Sequence, residues 1–179
     1  MKLIGFAVVV LSLASLSFAA EEVTATHGVI TKIDNAAKTV AVKTADGTEH
    51  VFHWTKDTTV RGADAAEAGA KDSWHGLKEG SEVVAHSTKT GAEDTAVEVD
   101  KVGDKGMQKT EGTVESIDRG GKKLVVKTAD GTEKTFQLSG HAAADAGKDI
   151  GAGTAKGTKV VVYSTETSGK KVAHFFEKL

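Results

Sequence analysis

An internal duplication constrains this chain more than any other feature. The stretch Thr26-His-Gly-Val-Ile-Thr-Lys-Ile-Asp34 returns as Thr110-Glu-Gly-Thr-Val-Glu-Ser-Ile-Asp118, and Lys43-Thr-Ala-Asp-Gly-Thr-Glu49 recurs letter for letter as Lys127-Thr-Ala-Asp-Gly-Thr-Glu133, both 84 positions on. Further along, Gly80-Ser-Glu-Val-Val-Ala-His-Ser-Thr88 answers Gly157-Thr-Lys-Val-Val-Val-Tyr-Ser-Thr165 at a spacing of 77, so the second copy has lost seven residues from its middle. The chain must therefore fold as two copies of one module, each under about ninety residues. That is near the size at which a single core barely suffices.

The N-terminus predicts export. Lys2 gives a short positive segment, Leu3 to Leu16 is an apolar run, and Ser17-Phe-Ala19 carries small residues where a signal peptidase needs them. Residues 1–19 are read as a signal peptide, and the run is too short to span a bilayer, which takes roughly 20 apolar residues. The expected product is periplasmic or secreted, with no membrane span once the signal is removed. Cleavage after Ala19 leaves 22 basic and 25 acidic residues, a net charge of −3 with histidines neutral. Such a chain lacks the positive field that gathers nucleic acid. Without cysteine, any metal site must use His, Asp or Glu.

Each module reads as five strands with a short helical insert. In the first, Thr24–Asp34 is strand one and Thr39–Thr44 strand two. Ala45-Asp-Gly47 is a tight turn, in which Gly accepts a positive φ, and Glu49–Trp54 is strand three. Val40, Val42, Phe52 and Trp54 are expected on one buried face, matched by Leu124, Val126, Phe136 and Leu138. Gly28 and Gly112 sit inside strand one of each copy and mark a bend or bulge. The inserts, Gly62–Lys71 and Gly140–Lys148, are rich in helix formers. Strand four (Ser81–Ser87; Thr158–Ser164) and strand five (Thr95–Val102; Lys171–Leu179) complete each unit. Three strands, a helix and two strands is the order of an OB-type barrel, with an SH3-like barrel as competitor. The fold class expected is mainly all-β: a first barrel over 20–102, a linker over 103–109, and a second barrel over 110–179.

Gly28-Val-Ile-x-x-Ile-Asp34, then Lys38-Thr-Val-x-Val-Lys-Thr-x-Asp-Gly-Thr48, then Leu77-Lys-Glu-Gly80 ahead of a Val-Val strand, resemble the exported bacterial domain family DUF5666. The resemblance covers nearly all of the mature chain, twice, and implies small OB-like barrels. The second copy departs from it with Ala155-Lys-Gly157. The outline is also similar to periplasmic OB-fold proteins. Neither resemblance places a catalytic residue on this sequence.

Candidates for chemistry are few. His50 and His53 stand three apart on a strand, which sends them to opposite faces. His53 answers to Gln137 and His50 to Lys134, as polar surface positions would. The histidines as a group are read as solvated or edge residues: His75 lies in the loop Trp74-His-Gly76, His141 opens the second insert, His86 matches Tyr163 and His174 matches Val97. Trp74, in a polar loop, would cap the barrel or offer a stacking platform. The candidate ligand-binding residues are thus Trp74, His75 and His53. No catalytic residue, metal ligand or cofactor is assigned, because no nucleophile elbow, phosphate loop or His-Glu-x-x-His run occurs. The reading is a non-enzymatic binding or accessory module of the bacterial envelope, taking a protein, peptide or glycan. Its alternative is a divalent-metal binder using histidines of the first repeat.

Overall fold

The computed structural model describes residues 23–63, 73–104, 106–118, 120, 122–140, 142 and 156–179. In the first module, β1 (Val23–Asp34), β2 (Thr39–Lys43), β3 (Glu49–Arg61), β6 (Glu82–Thr90) and β7 (Glu93–Lys101) close into a barrel in the order β1-β2-β3-β7-β6. A small hairpin, β4 (Ser73–Trp74) and β5 (Leu77–Lys78), precedes β6. In the second module, β8 (Gln108–Asp118), β9 (Lys123–Lys127), β10 (Glu133–Leu138), β11 (Lys159–Thr167) and β12 (Lys170–Lys178) close in the equivalent order. Every pairing within the barrels is antiparallel except β3 with β7 and β10 with β12, which are parallel. A third strand running alongside the fifth is the OB arrangement, and it removes the SH3-like alternative.

The local chemistry follows from the sequence. In the β2–β3 turn, Thr44 N–H donates to the Thr48 carbonyl, Asp46 accepts from Thr44 Oγ1 and Thr48 N–H, and Gly47 takes φ +89°. Thr128, Asp130, Gly131 and Thr132 repeat this turn. Those hydrogen bonds, Thr44's and Thr128's foremost, hold both aspartates below the ordinary carboxylate range. Inside the barrels, Ile30, Val40, Val42, Phe52, Val83 and Val99 form one core. Val114, Leu124, Val126, Phe136, Val160 and Phe176 take the same places in the other.

Gly28 and Gly112 are required by close approach. A Cβ on Gly28 would lie 2.4 Å from the Lys43 carbonyl oxygen, and one on Gly112 2.5 Å from that of Lys127. The bulges themselves fall just beyond, between Ile30 and Lys32 and between Val114 and Ser116. Strand one thereby bends to pair with β2 on one side and β6 on the other.

One expectation changes. Strand three does not stop at Trp54: after an excursion at Thr55–Thr58 it rejoins β7, with Arg61 opposite Asp100, because Thr58-Thr-Val60 is as good a strand former as the residues before it. The helical inserts fall almost wholly outside the described residues, among which no helix spans an element and none is long and apolar enough to cross a membrane. Met107 bridges back to Val102, is 1% exposed, and leads into β8 at Gln108.

Met107 belongs to a third apolar cluster with Val84 and Val102 of the first barrel and Val161 and Tyr163 of the second, flanked by Ala25 and Phe175. Val84 and Val161 are equivalent residues of β6 and β11. The barrels thus bury equivalent outer faces against each other.

Candidate metal centre

Along β6 the side chains alternate. Val83 and Ala85 enter the barrel core, so Glu82, Val84 and His86 point outward; on β7, Val99 is in the core and Glu98 and Asp100 point outward, and Val102 just beyond the strand joins the inter-barrel cluster. In an isolated barrel these outer positions would be wet. Here Val84 and Val102 lie against the second barrel, and the neighbouring polar groups are buried with them: His86 is 1% exposed, Asp100 2% and Glu98 9%.

His86 and Glu98 are direct cross-strand partners, and Asp100 lies two residues beyond on the same face. A bulge immediately after His86 ends that stretch of register. One ligand atom from each of the three lies within 4.8 Å of the others, and His86 Nε2 is 3.7 Å from Asp100 Oδ2. Arg61, half exposed at the end of β3, places its guanidinium 3.0 Å from Glu98 Oε2. Burial pushes the Asp100 carboxyl up to about 8, and the Glu98 carboxylate beside it acts in the same direction by charge and hydrogen bonding, against the opposing pull of Arg61. Asp100 Oδ2 has no hydrogen-bond partner among the described residues.

A second polar group joins the barrels. His27 Nε2 is 2.7 Å from Glu82 Oε1, and its Nδ1 is 3.3 Å from Glu177 Oε2 across the interface. Tyr163 lies against the His27 ring with centroids 4.8 Å apart and donates to Glu177 Oε2 at 3.2 Å. Lys109 pairs with Glu82 and stands over the Tyr163 ring. Burial, with Glu177 beside it, raises the Tyr163 phenol above its ordinary value. Burial would also raise Glu82, but the Lys109 and His27 contacts outweigh it and hold that carboxylate low. A groove of about 420 Å³ opens beside this group, lined by Ala25, His27, Asp46, His50, Phe175 and Glu177 among others.

The residues singled out in the sequence are placed apart from both groups. Trp74 is 3% exposed, within the first barrel's core, its ring stacked on Trp54 at 4.6 Å. His75 is exposed in the β4–β5 turn with φ +50°, edge-on to Trp74. His53 is half-buried on β3, its Nε2 4.0 Å from the Glu93 carboxylate. Among the described residues, the group of three or more ligand-bearing side chains close enough for one ion is His86, Glu98 and Asp100.

That group escaped sequence reasoning. The sequence reading places His86 and His174 in solvent or at an edge, yet both are buried, His86 at 1% exposure and His174 beside Thr165 Oγ1 at 2.8 Å. The hairpin at Gly91 alone would set His86 opposite Val97; only the bulge beside Ser87, which the sequence does not announce, brings it opposite Glu98, with Asp100 two residues on. In the second module the equivalent positions hold Tyr163, Phe175 and Glu177, so the cluster is confined to the first.

No family model and no curated protein matches the sequence. Among solved structures, the chain is similar to Ag(I)-bound CusF (16% identity, 45% of this chain and 97% of that one, TM-score 0.34). It is also similar to two Escherichia coli structures: apo-CusF residues 6–88 (17%, 50% and 98%, TM-score 0.36) and CusF-Ag(I) residues 10–88 (17%, 46% and 95%, TM-score 0.35).

Proposed function

We propose that this protein is a non-enzymatic binding module of the bacterial envelope whose first barrel takes up a divalent cation at His86, Glu98 and Asp100. The observation that carries the reading is the meeting of one imidazole and two carboxylates, all buried, with ligand atoms within 4.8 Å of one another. Mixed imidazole and carboxylate donors suit Zn²⁺ or Cu²⁺ rather than the all-oxygen sites of Ca²⁺ and Mg²⁺. Bonds of about 2.0–2.1 Å in a tetrahedral zinc site set neighbouring ligand atoms roughly 3.4 Å apart. The 3.7 Å between His86 Nε2 and Asp100 Oδ2 already approaches that span. A cation would also satisfy the Asp100 oxygen that lacks a hydrogen bond among the described residues. Three protein ligands leave a fourth position for water or for a donor from a partner.

The envelope setting rests on the apolar N-terminal run and the Ser17-Phe-Ala19 cleavage pattern, and it agrees with the resemblance to DUF5666. The test is calorimetric titration of the metal-free mature chain with Zn²⁺ and Cu²⁺. We expect one saturable site that His86→Ala removes and that His53→Ala/His75→Ala leaves intact. Binding that survives His86→Ala but disappears in the double variant would move the site to the residues first singled out in the sequence.

A further inference from the structure

The cluster already contains a cation of its own. Arg61 stands opposite Asp100 in the β3–β7 pairing and holds Glu98 Oε2 at 3.0 Å. Glu98's side chain is 11% exposed and Arg61's 50%, so the guanidinium lies on the solvent side of the carboxylates.

The backbone that carries Arg61 is pinned. Gly62 follows with φ +69°, and a Cβ there would come within 2.5 Å of the Gly106 Cα, so the end of β3 is wedged against Gly106. Any displacement of Arg61 must therefore occur in its side chain, whose long stem can carry the charge into water while staying along the surface.

Charge balance decides when that happens. Metal ligation requires both carboxylates ionised and the imidazole neutral, which gives the cluster two negative charges. A divalent cation balances both, and the Arg61 charge then becomes surplus beside a buried cation. Without the metal, Arg61 balances the Glu98 carboxylate it holds, and losing it would leave that buried carboxylate without a counter-charge.

We propose that Arg61 is a tethered counter-ion: it occupies Glu98 in the metal-free protein, is expelled to solvent when a divalent cation enters, and so sets the affinity of the site. This rests on the metal reading given above, and it assigns to Arg61 a role opposite to that of a ligand-positioning residue. Removing a positioning residue weakens binding; removing a competing charge strengthens it.

The experiment is a Zn²⁺ titration against a competing chromophoric chelator, using the full mature chain, with thermal unfolding of each variant with and without Zn²⁺. For Arg61→Gln we expect binding tighter by about tenfold or more, together with a lower metal-free melting temperature and a larger Zn²⁺-induced rise. Arg61→Lys keeps the charge without the planar fork and should stay close to the unmodified protein. If Arg61→Gln binds Zn²⁺ equally or more weakly while His86→Ala abolishes binding, the counter-ion role is overturned and the metal site stands. If neither the unmodified chain nor Arg61→Gln binds Zn²⁺, both fall together. Should Arg61→Gln not fold, the Arg61 Nε–H resonance of the unmodified protein takes its place: it should lose its ion-paired character on Zn²⁺ loading, and its persistence would overturn the proposal.

Discussion

Asp100→Asn separates the charge of the buried cluster from its shape. In the native chain the Asp100 carboxyl is raised from an ordinary value of 3.8 to about 8, first by burial and then by Glu98. Between those values the folded protein keeps a proton that the unfolded chain has released. Stability must therefore fall as pH rises from about 4 to about 8 and level off above, by about 1.4 kcal/mol per pH unit in between. Asparagine has nearly the same volume, cannot ionise, and leaves the Arg61–Glu98 pair at 3.0 Å in place. The variant should thus be close to the unmodified chain near pH 4 and increasingly more stable than it towards pH 8. Across the two units from about pH 5 to pH 7 the gap should widen by roughly 2–3 kcal/mol. Urea unfolding at a series of pH values, without divalent metal, measures it. A gap that stays constant across the series would mean that Asp100 is ionised throughout, and the account of the cluster as a crowded carboxyl pair would fail.

Two other perturbations test the frame around the site. Gly28→Ala forces a methyl group to 2.4 Å from a backbone oxygen that has little room to move, so it should destabilise the first barrel by about 1–3 kcal/mol or more. Gly112→Ala should do the same to the second, and an alanine tolerated at either position in denaturant unfolding would contradict the close approach. His27→Ala removes the imidazole that meets Glu82 on one barrel and Glu177 on the other, a loss of about 1–2 kcal/mol at the interface. Hydrogen exchange should then quicken around Met107 and Val161 while the barrel cores keep their protection; uniform protection would place the inter-barrel stability elsewhere.

The barrels were legible where the physics is local. Val40, Val42 and Phe52 alternate as a half-buried sheet requires, Asp46-Gly47 fits the turn between them, and the duplicated motif repeats both. The extension of β3 beyond Trp54 was not legible, because the partners of Thr59, Val60 and Arg61 lie nearly forty residues away and no turn residue announces them. Met107 was hidden for a related reason. A single apolar residue within Gly103-Asp-Lys-Gly-Met-Gln-Lys109 carries no periodicity, and only the meeting of the barrels buries it. The candidate site failed to show through the same effect. Alternation assigns Val84, His86, Glu98 and Asp100 to the outside of a barrel, which is correct for the barrel and incomplete for the protein: Val84 lies against the second barrel, and the three polar residues beside it are buried as well.

The contact between equivalent faces also bears on how such a site can arise. Two identical barrels meeting this way would have to carry the same residue at each matched position, since every change would be made twice at one interface. Joined in one chain, the copies are released from that symmetry. One copy presents Tyr163 and Phe175 to the contact, and at the equivalent positions the other carries His86 and Glu98. The connector between Val102 and Gln108 thus does more than hold the halves together: it lets a matched pair of surfaces become a lock with two different sides.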